Sequence, residues 1–146
     1  MTRIRRWVVK HGVRMFLRLA AGLCRSNGPM GEKLMDALGR LVAWRRRVQP
    51  STDPTQLGQT WQRAFPSKKQ VPITHVKGRT AFGEIHTPCP LRGTKDEKAC
   101  YRMMAYDRSF MAQAGALFEV LESQATPGVT VCKVAIHAAN FENKGQ

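Results

Sequence analysis

The chain predicts an α+β fold: an antiparallel sheet of two hairpins with helices on one face, preceded by a basic amphipathic helical hairpin. Three observations lead there. The first fifty residues combine helical periodicity with a large excess of cations. Two glycine-containing turns, Lys77-Gly78-Arg79 and Thr126-Pro127-Gly128, each join short strand-like runs. A methionine-rich helical stretch separates the two hairpins, the element order of an α+β domain rather than of alternating βαβ units. With 146 residues the chain can bury one core but not two, so the expected division is a basic helical segment at 1–50 and a cysteine-containing α+β domain at 51–146.

Residues 3–24 place Ile4, Trp7, Val8, His11, Met15, Leu19 and Gly22 at helical spacing, while Arg6, Lys10, Arg14 and Arg18 recur every four residues on another ridge. Ser26-Asn27-Gly28-Pro29 interrupts the pattern. A second helix over about 30–48 puts Leu34, Leu38, Leu41 and Val42 on one side, and Arg45-Arg46-Arg47 at its C-terminal, electronegative end. Beyond the linker at Gln49–Thr52, Asp53 is placed to cap a short helix with Pro54 at its first position and Leu57, Trp61, Ala64 and Phe65 inward. Strands follow at 73–76 and 80–86. A Thr94–Glu97 capping box then opens a helix bearing Cys100, Met103, Met104, Asp107, Phe110 and Met111, before strands at 117–124 and 129–137. In the last strand Cys132, Val134 and Ile136 share the core face, and Lys133, Ala135 and His137 share the other.

Charge narrows the classes of partner. The net charge is +14, and residues 1–50 hold twelve Lys and Arg against two acids, so ten of the fourteen excess charges lie there. Trp7 and Phe16 among those cations suit an anionic membrane surface or an acidic protein partner. Nucleic acid is less favoured, because no zinc finger, RNA-recognition signature or helix-turn-helix pattern is present. No apolar run approaches the ~20 residues that cross a bilayer. Four cysteines without a cleavable leader pattern imply a reducing compartment, the cytoplasm, with the inner membrane face as the peripheral location.

Cys89, at a rigid proline-flanked strand end, Cys100, near a helix start, and Cys132, within a strand, mark the region where chemistry is expected. Three readings stay open. Free cysteines are often buried small hydrophobes; His86-x-x-Cys89 with Cys100 and Cys132 forms a zinc-like ligand set, although no Cys-x-x-Cys knuckle is present; or the thiols take part in catalysis. Cys24 is expected only to pack.

The pattern Cys89-Pro90-Leu91, Cys100, Tyr106-Asp107-Arg108 and Pro127-Gly128-Val129-Thr130-Val131-Cys132 resembles the L-2-amino-thiazoline-4-carboxylic acid hydrolase family over residues 53–137. A more distant likeness is to vinyl-reductase-type ligand-binding domains. The first resemblance implies hydrolytic opening of a cyclic amidine, with a small anionic organic molecule as substrate. On that reading Cys89 is the nucleophile or a metal ligand, Asp107 the base, and Arg102 or Arg108 the clamp on the substrate carboxylate. The alternative is a non-enzymatic basic accessory protein whose amphipathic helices dock on a membrane surface or a larger acidic complex. Convergence of Cys89, Asp107 and an Arg on one cavity would favour the first; dispersal or sealing of these residues would favour the second.

Overall fold

A computed structural model describes residues 2–139. Five α-helices and four strands are arranged in the order α1 (Arg3–Ser26), α2 (Gly28–Arg45), α3 (Pro54–Gln62), β1 (Ile73–Lys77), β2 (Thr80–Ile85), α4 (Glu97–Met103), α5 (Ala105–Ala112), β3 (Ala116–Glu122) and β4 (Cys132–Ala138). A single 3-10 turn, Lys68–Gln70, precedes β1.

The strands form one antiparallel sheet in the order β1-β2-β4-β3, so two sequential hairpins meet through β2 and β4. The α+β class expected from the sequence, two hairpins with helices on one face, is the architecture observed. Gly78 sits first in a two-residue loop with φ 58°, a left-handed conformation that costs glycine little and matches the twist of the hairpin. Residues alternate across the sheet: Ala81, Gly83 and Ile85 of β2 and Cys132, Val134 and Ile136 of β4 are buried beneath α3 and α5. The opposite face is mostly solvated, although Ala135 on it is buried, and carries polar cross-strand pairs, among them His137 Nε2 to Glu119 Oε2 at 2.8 Å and Lys133 Nζ to Glu122 Oε1 at 3.2 Å. Between α3 and the sheet, fully buried Trp61 packs against Phe65 and Phe118.

Local chemistry accounts for the helix ends. Asp53 accepts from the Thr55 amide ahead of Pro54, as expected. The fourth helix departs from expectation: Asp96, not Thr94, is its cap and accepts from the Ala99 amide at 3.0 Å, while the Thr94 hydroxyl accepts from the Asp96 amide and donates to the Leu91 carbonyl. The stretch from the capping box through Met111, expected as one helix, is two, broken at Met104.

The boundary expected after residue 50 does not separate two bodies. α2 packs extensively on α5 and also on α4. The side expected to pack does so only in part: Leu34 and Leu41 are 49% and 51% exposed, whereas Leu38 is half-buried and Val42 packs against the core. The buried line is instead Gly31, Met35, Gly39 and Ala43, mostly small residues that let helix axes approach closely. A β-carbon at Gly39 would strike the Tyr106 carbonyl oxygen, and one at Gly31 would lie 2.8 Å from Cys24 Sγ.

Candidate functional site

The three downstream cysteines are brought to one end of the sheet, where the segment after β3 links them. The Ser123 hydroxyl lies 2.9 Å from Cys100 Sγ, and the Gln124 amide donates to Cys132 Sγ at 3.4 Å. The Gln124 side-chain oxygen accepts from the Cys89 amide at 3.1 Å and from both Nε and Nη2 of Arg92. Its amide nitrogen donates to the carbonyls of Ile85 and Thr87. Gln124 is fully buried, and it is the residue that sequence reasoning missed. A glutamine closing an apolar strand carries no periodic signal, and only the fold reveals that its amide satisfies two strand-end carbonyls.

None of the thiols is activated. Burial pushes Cys89, Cys100 and Cys132 above the ordinary thiol range, Cys132 to about 11. At Cys100, near the start of α4, desolvation outweighs the Ser123 hydrogen bond and the Arg108 charge, both of which lower it. Cys89 is not presented on a rim; it is half-buried, and its Sγ accepts from the Leu91 amide at 3.4 Å. Cys24 is fully buried against α2, as expected for a packing residue.

The metal set does not assemble. His86 turns to Glu84, with Nε2 2.6 Å from Oε2, and among the described residues no three His, Cys, Asp or Glu side chains form a group able to hold a metal ion. Zinc therefore has no coherent set of ligands in Cys89, Cys100, Cys132 and His86.

Asp107 is sealed. Its carboxylate is 4% exposed and accepts from the Trp61 indole Nε1 at 2.8 Å. Burial raises it from 3.8 to about 6, against the Trp61 hydrogen bond and the nearby Arg108 charge, both of which lower it. Although that value suits a general base, Asp107 lines neither of the two large surface cavities.

The two arginines are engaged within the protein. Arg102 donates to the Cys24 carbonyl at 3.2 Å and occupies the space that a side chain at Gly28 would need. Arg108 stacks on Tyr101, 3.8 Å from the ring centroid, donates to the Tyr101 carbonyl at 2.7 Å, and approaches Glu32 at 3.6 Å. Cys100, Arg102 and Arg108 do line one open groove of about 1030 Å³ between α4 and the outer edge of β3. Cys89 and Asp107 do not.

The other expected functional element is α1. Its buried residues are Ala20, Ala21 and Cys24, all in the last two turns, with Val13 and Leu17 half-buried on the same side. That end is fixed by Arg102 and by an Arg25–Asp96 ion pair of 3.1 Å. The apolar stripe lies on the other side. Ile4, Trp7, Val8, Met15 and Leu19 are 76%, 63%, 54%, 64% and 67% exposed. At about 100° per residue, this stripe is centred about 160° around the helix from the packed side. From Arg3 to Leu19 the helix holds six Arg and Lys and no acid, all six exposed. No helix among the described residues is long and apolar enough to cross a membrane.

No protein-family model, no curated protein and no solved structure matches this chain.

Proposed function

We propose that the protein docks on an anionic membrane surface through α1, with the α+β domain held at the interface as a non-enzymatic module. The observation that carries this reading is the orientation of the α1 stripe. An amphipathic helix belonging only to the core buries its apolar face, whereas α1 packs with a short line of mainly small residues and leaves its large apolar side chains in water beside its cations. A bilayer surface offers both partners at once, acyl chains for Ile4, Trp7, Val8, Met15, Phe16 and Leu19, and anionic headgroups for the Arg and Lys ridge.

Magnitudes support both halves of that pairing. Full burial of a large apolar side chain contributes about 1.5–3 kcal/mol, so interfacial burial recovering a third of this over six residues gives roughly 3–6 kcal/mol. Micromolar association needs about 8 kcal/mol, and each cation near an anionic surface adds about 1 kcal/mol. The apolar stripe alone falls short, and the cations close the gap. The full chain is therefore expected to float with phosphatidylglycerol-rich vesicles at low salt and to be released by high salt. A variant with Trp7, Met15 and Leu19 changed to Gln should remain in the unbound fraction. Equal recovery on neutral and anionic vesicles, or undiminished binding of that variant, would overturn the reading.

A second reading has one observation in its favour. Cys100, Arg102 and Arg108 share the α4–β3 groove, which has room for a small organic molecule of the kind the hydrolase resemblance implies, although Glu32, Glu97, Glu119 and Glu122 line it as well. Titration with a thiazoline carboxylate, followed by calorimetry and by product analysis, tests it. Binding that Arg108→Ala abolishes would support a ligand site, and ring opening would establish catalysis.

A further inference from the structure

We infer that α2 carries a second lipid-contacting surface, so that the protein engages the bilayer with two helices and is held in one orientation. This rests on the membrane reading of α1 but on different residues. Met30, Leu34, Leu41 and Trp44 are 55%, 49%, 51% and 75% exposed. With Ala37 they are spaced four, three, four and three residues apart, which places them in one stripe, centred about 160° around α2 from the packed line of Gly31, Met35, Gly39 and Ala43. α2 thus resembles α1 in turning a stripe of large apolar residues toward solvent, although Met35 and Val42 join its small residues against the domain.

Charge decides what covers the stripe. It is flanked by Lys33, by Arg40, which pairs with Asp36, and by Arg45, and Trp44 runs directly into Arg45-Arg46-Arg47, all exposed. Two copies of a chain of net charge +14, meeting through cation-edged stripes, would repel each other, whereas an anionic bilayer neutralises those edges while taking up the apolar residues. Trp44 beside three arginines has the composition of an interfacial anchor, with an amphipathic ring at headgroup depth and guanidinium groups on lipid phosphates. Two attached helices hold the second contact at high effective concentration once the first has formed, so each strengthens the other.

Tryptophan placement makes the inference testable in the full chain. Of the three tryptophans, Trp61 is fully buried, while Trp7 and Trp44 report one on each helix. Trp7→Phe therefore leaves Trp44 as the only exposed tryptophan, and Trp44→Phe leaves Trp7. On phosphatidylglycerol-rich vesicles the emission of both variants should shift to the blue, and both should be quenched by lipids brominated in the acyl chains. Leu34→Gln combined with Leu41→Gln should weaken vesicle binding roughly tenfold while preserving the Trp7 shift. A Trp7 response with no Trp44 response would overturn the two-helix inference and leave the α1 reading standing. Silence of both would remove both. A Trp44 shift that depends on protein concentration without lipid, and is insensitive to bromination, would assign the stripe to a second copy of the chain.

Discussion

Replacing Asp107 by Asn should change how stability depends on pH, in a direction and by an amount that the buried carboxyl fixes. Asp107 is held at about 6 in the folded protein against 3.8 for an ordinary aspartate, chiefly because burial disfavours its charge. Below about pH 4 the group is protonated in both states and imposes no penalty. Between about 4 and 6 the unfolded chain releases the proton while the folded one retains it, so stability falls as pH rises, and the loss levels off above about 6. A shift of about two units at 1.36 kcal/mol each gives a loss of roughly 3 kcal/mol. Asn retains an oxygen to accept from the Trp61 indole, and any cost of its unpartnered amide hydrogens is independent of pH. Urea denaturation of both proteins from about pH 4 to pH 7, followed by far-ultraviolet circular dichroism, isolates the effect, because groups that titrate alike in both proteins cancel. The variant should gain roughly 3 kcal/mol relative to wild type across that range. A difference that stays flat, or that moves toward wild type as pH rises, would refute the placement of Asp107 as a sealed, desolvated carboxyl.

Three further outcomes follow from the packing. Gln124→Met keeps the bulk but strands the buried Ile85 carbonyl and the part-buried Thr87 carbonyl and Cys89 amide, so chemical denaturation should show a loss of about 1–3 kcal/mol for the buried orphan and a smaller one for each of the other two. Gly39→Ala meets backbone rather than a yielding side chain and should cost about 1–3 kcal/mol, whereas Gly12→Ala, with nothing within 4 Å, should be neutral or raise the melting temperature slightly. Deleting residues 1–18 removes no fully buried side chain among the described residues and should move Tm by no more than about 4 °C, while deleting residues 1–50 strips α2 from α5 and should abolish the cooperative melting transition in calorimetry.

The parts of the fold that were legible in the sequence were those written in periodicity. The alternation in β4 placed Cys132, Val134 and Ile136 on the core face, and the turn at Gly78 fixed a hairpin, because a period of two and a left-handed glycine are local properties. The methionines spaced along the central helices are buried. What escaped was non-local. Periodicity revealed an apolar side on α2, but which side packs was decided by how closely Gly31 and Gly39 let it approach α1 and α5. The candidate site was misread for a related reason. Asp107, Arg102 and Arg108 have the residue types of a catalytic and anion-binding set, yet a buried indole, a helix-end carbonyl and a tyrosine ring engage them instead. Residue type shows which chemistry is available to a side chain, while the partner that fills its hydrogen-bonding capacity appears only once the chain is folded.

Hydrogen exchange of the full chain with and without phosphatidylglycerol-rich vesicles tests membrane docking most directly, because it reports every backbone amide and does not presuppose which surface binds. Residues 3–19 of α1 are expected to gain the greatest protection, since in the free protein only Val13 and Leu17 among them are half-buried, while the solvated sheet face around Glu119 and His137 exchanges at the same rate in both samples. Protection confined to the sheet face or to the α4–β3 groove, with α1 unchanged, would contradict the account.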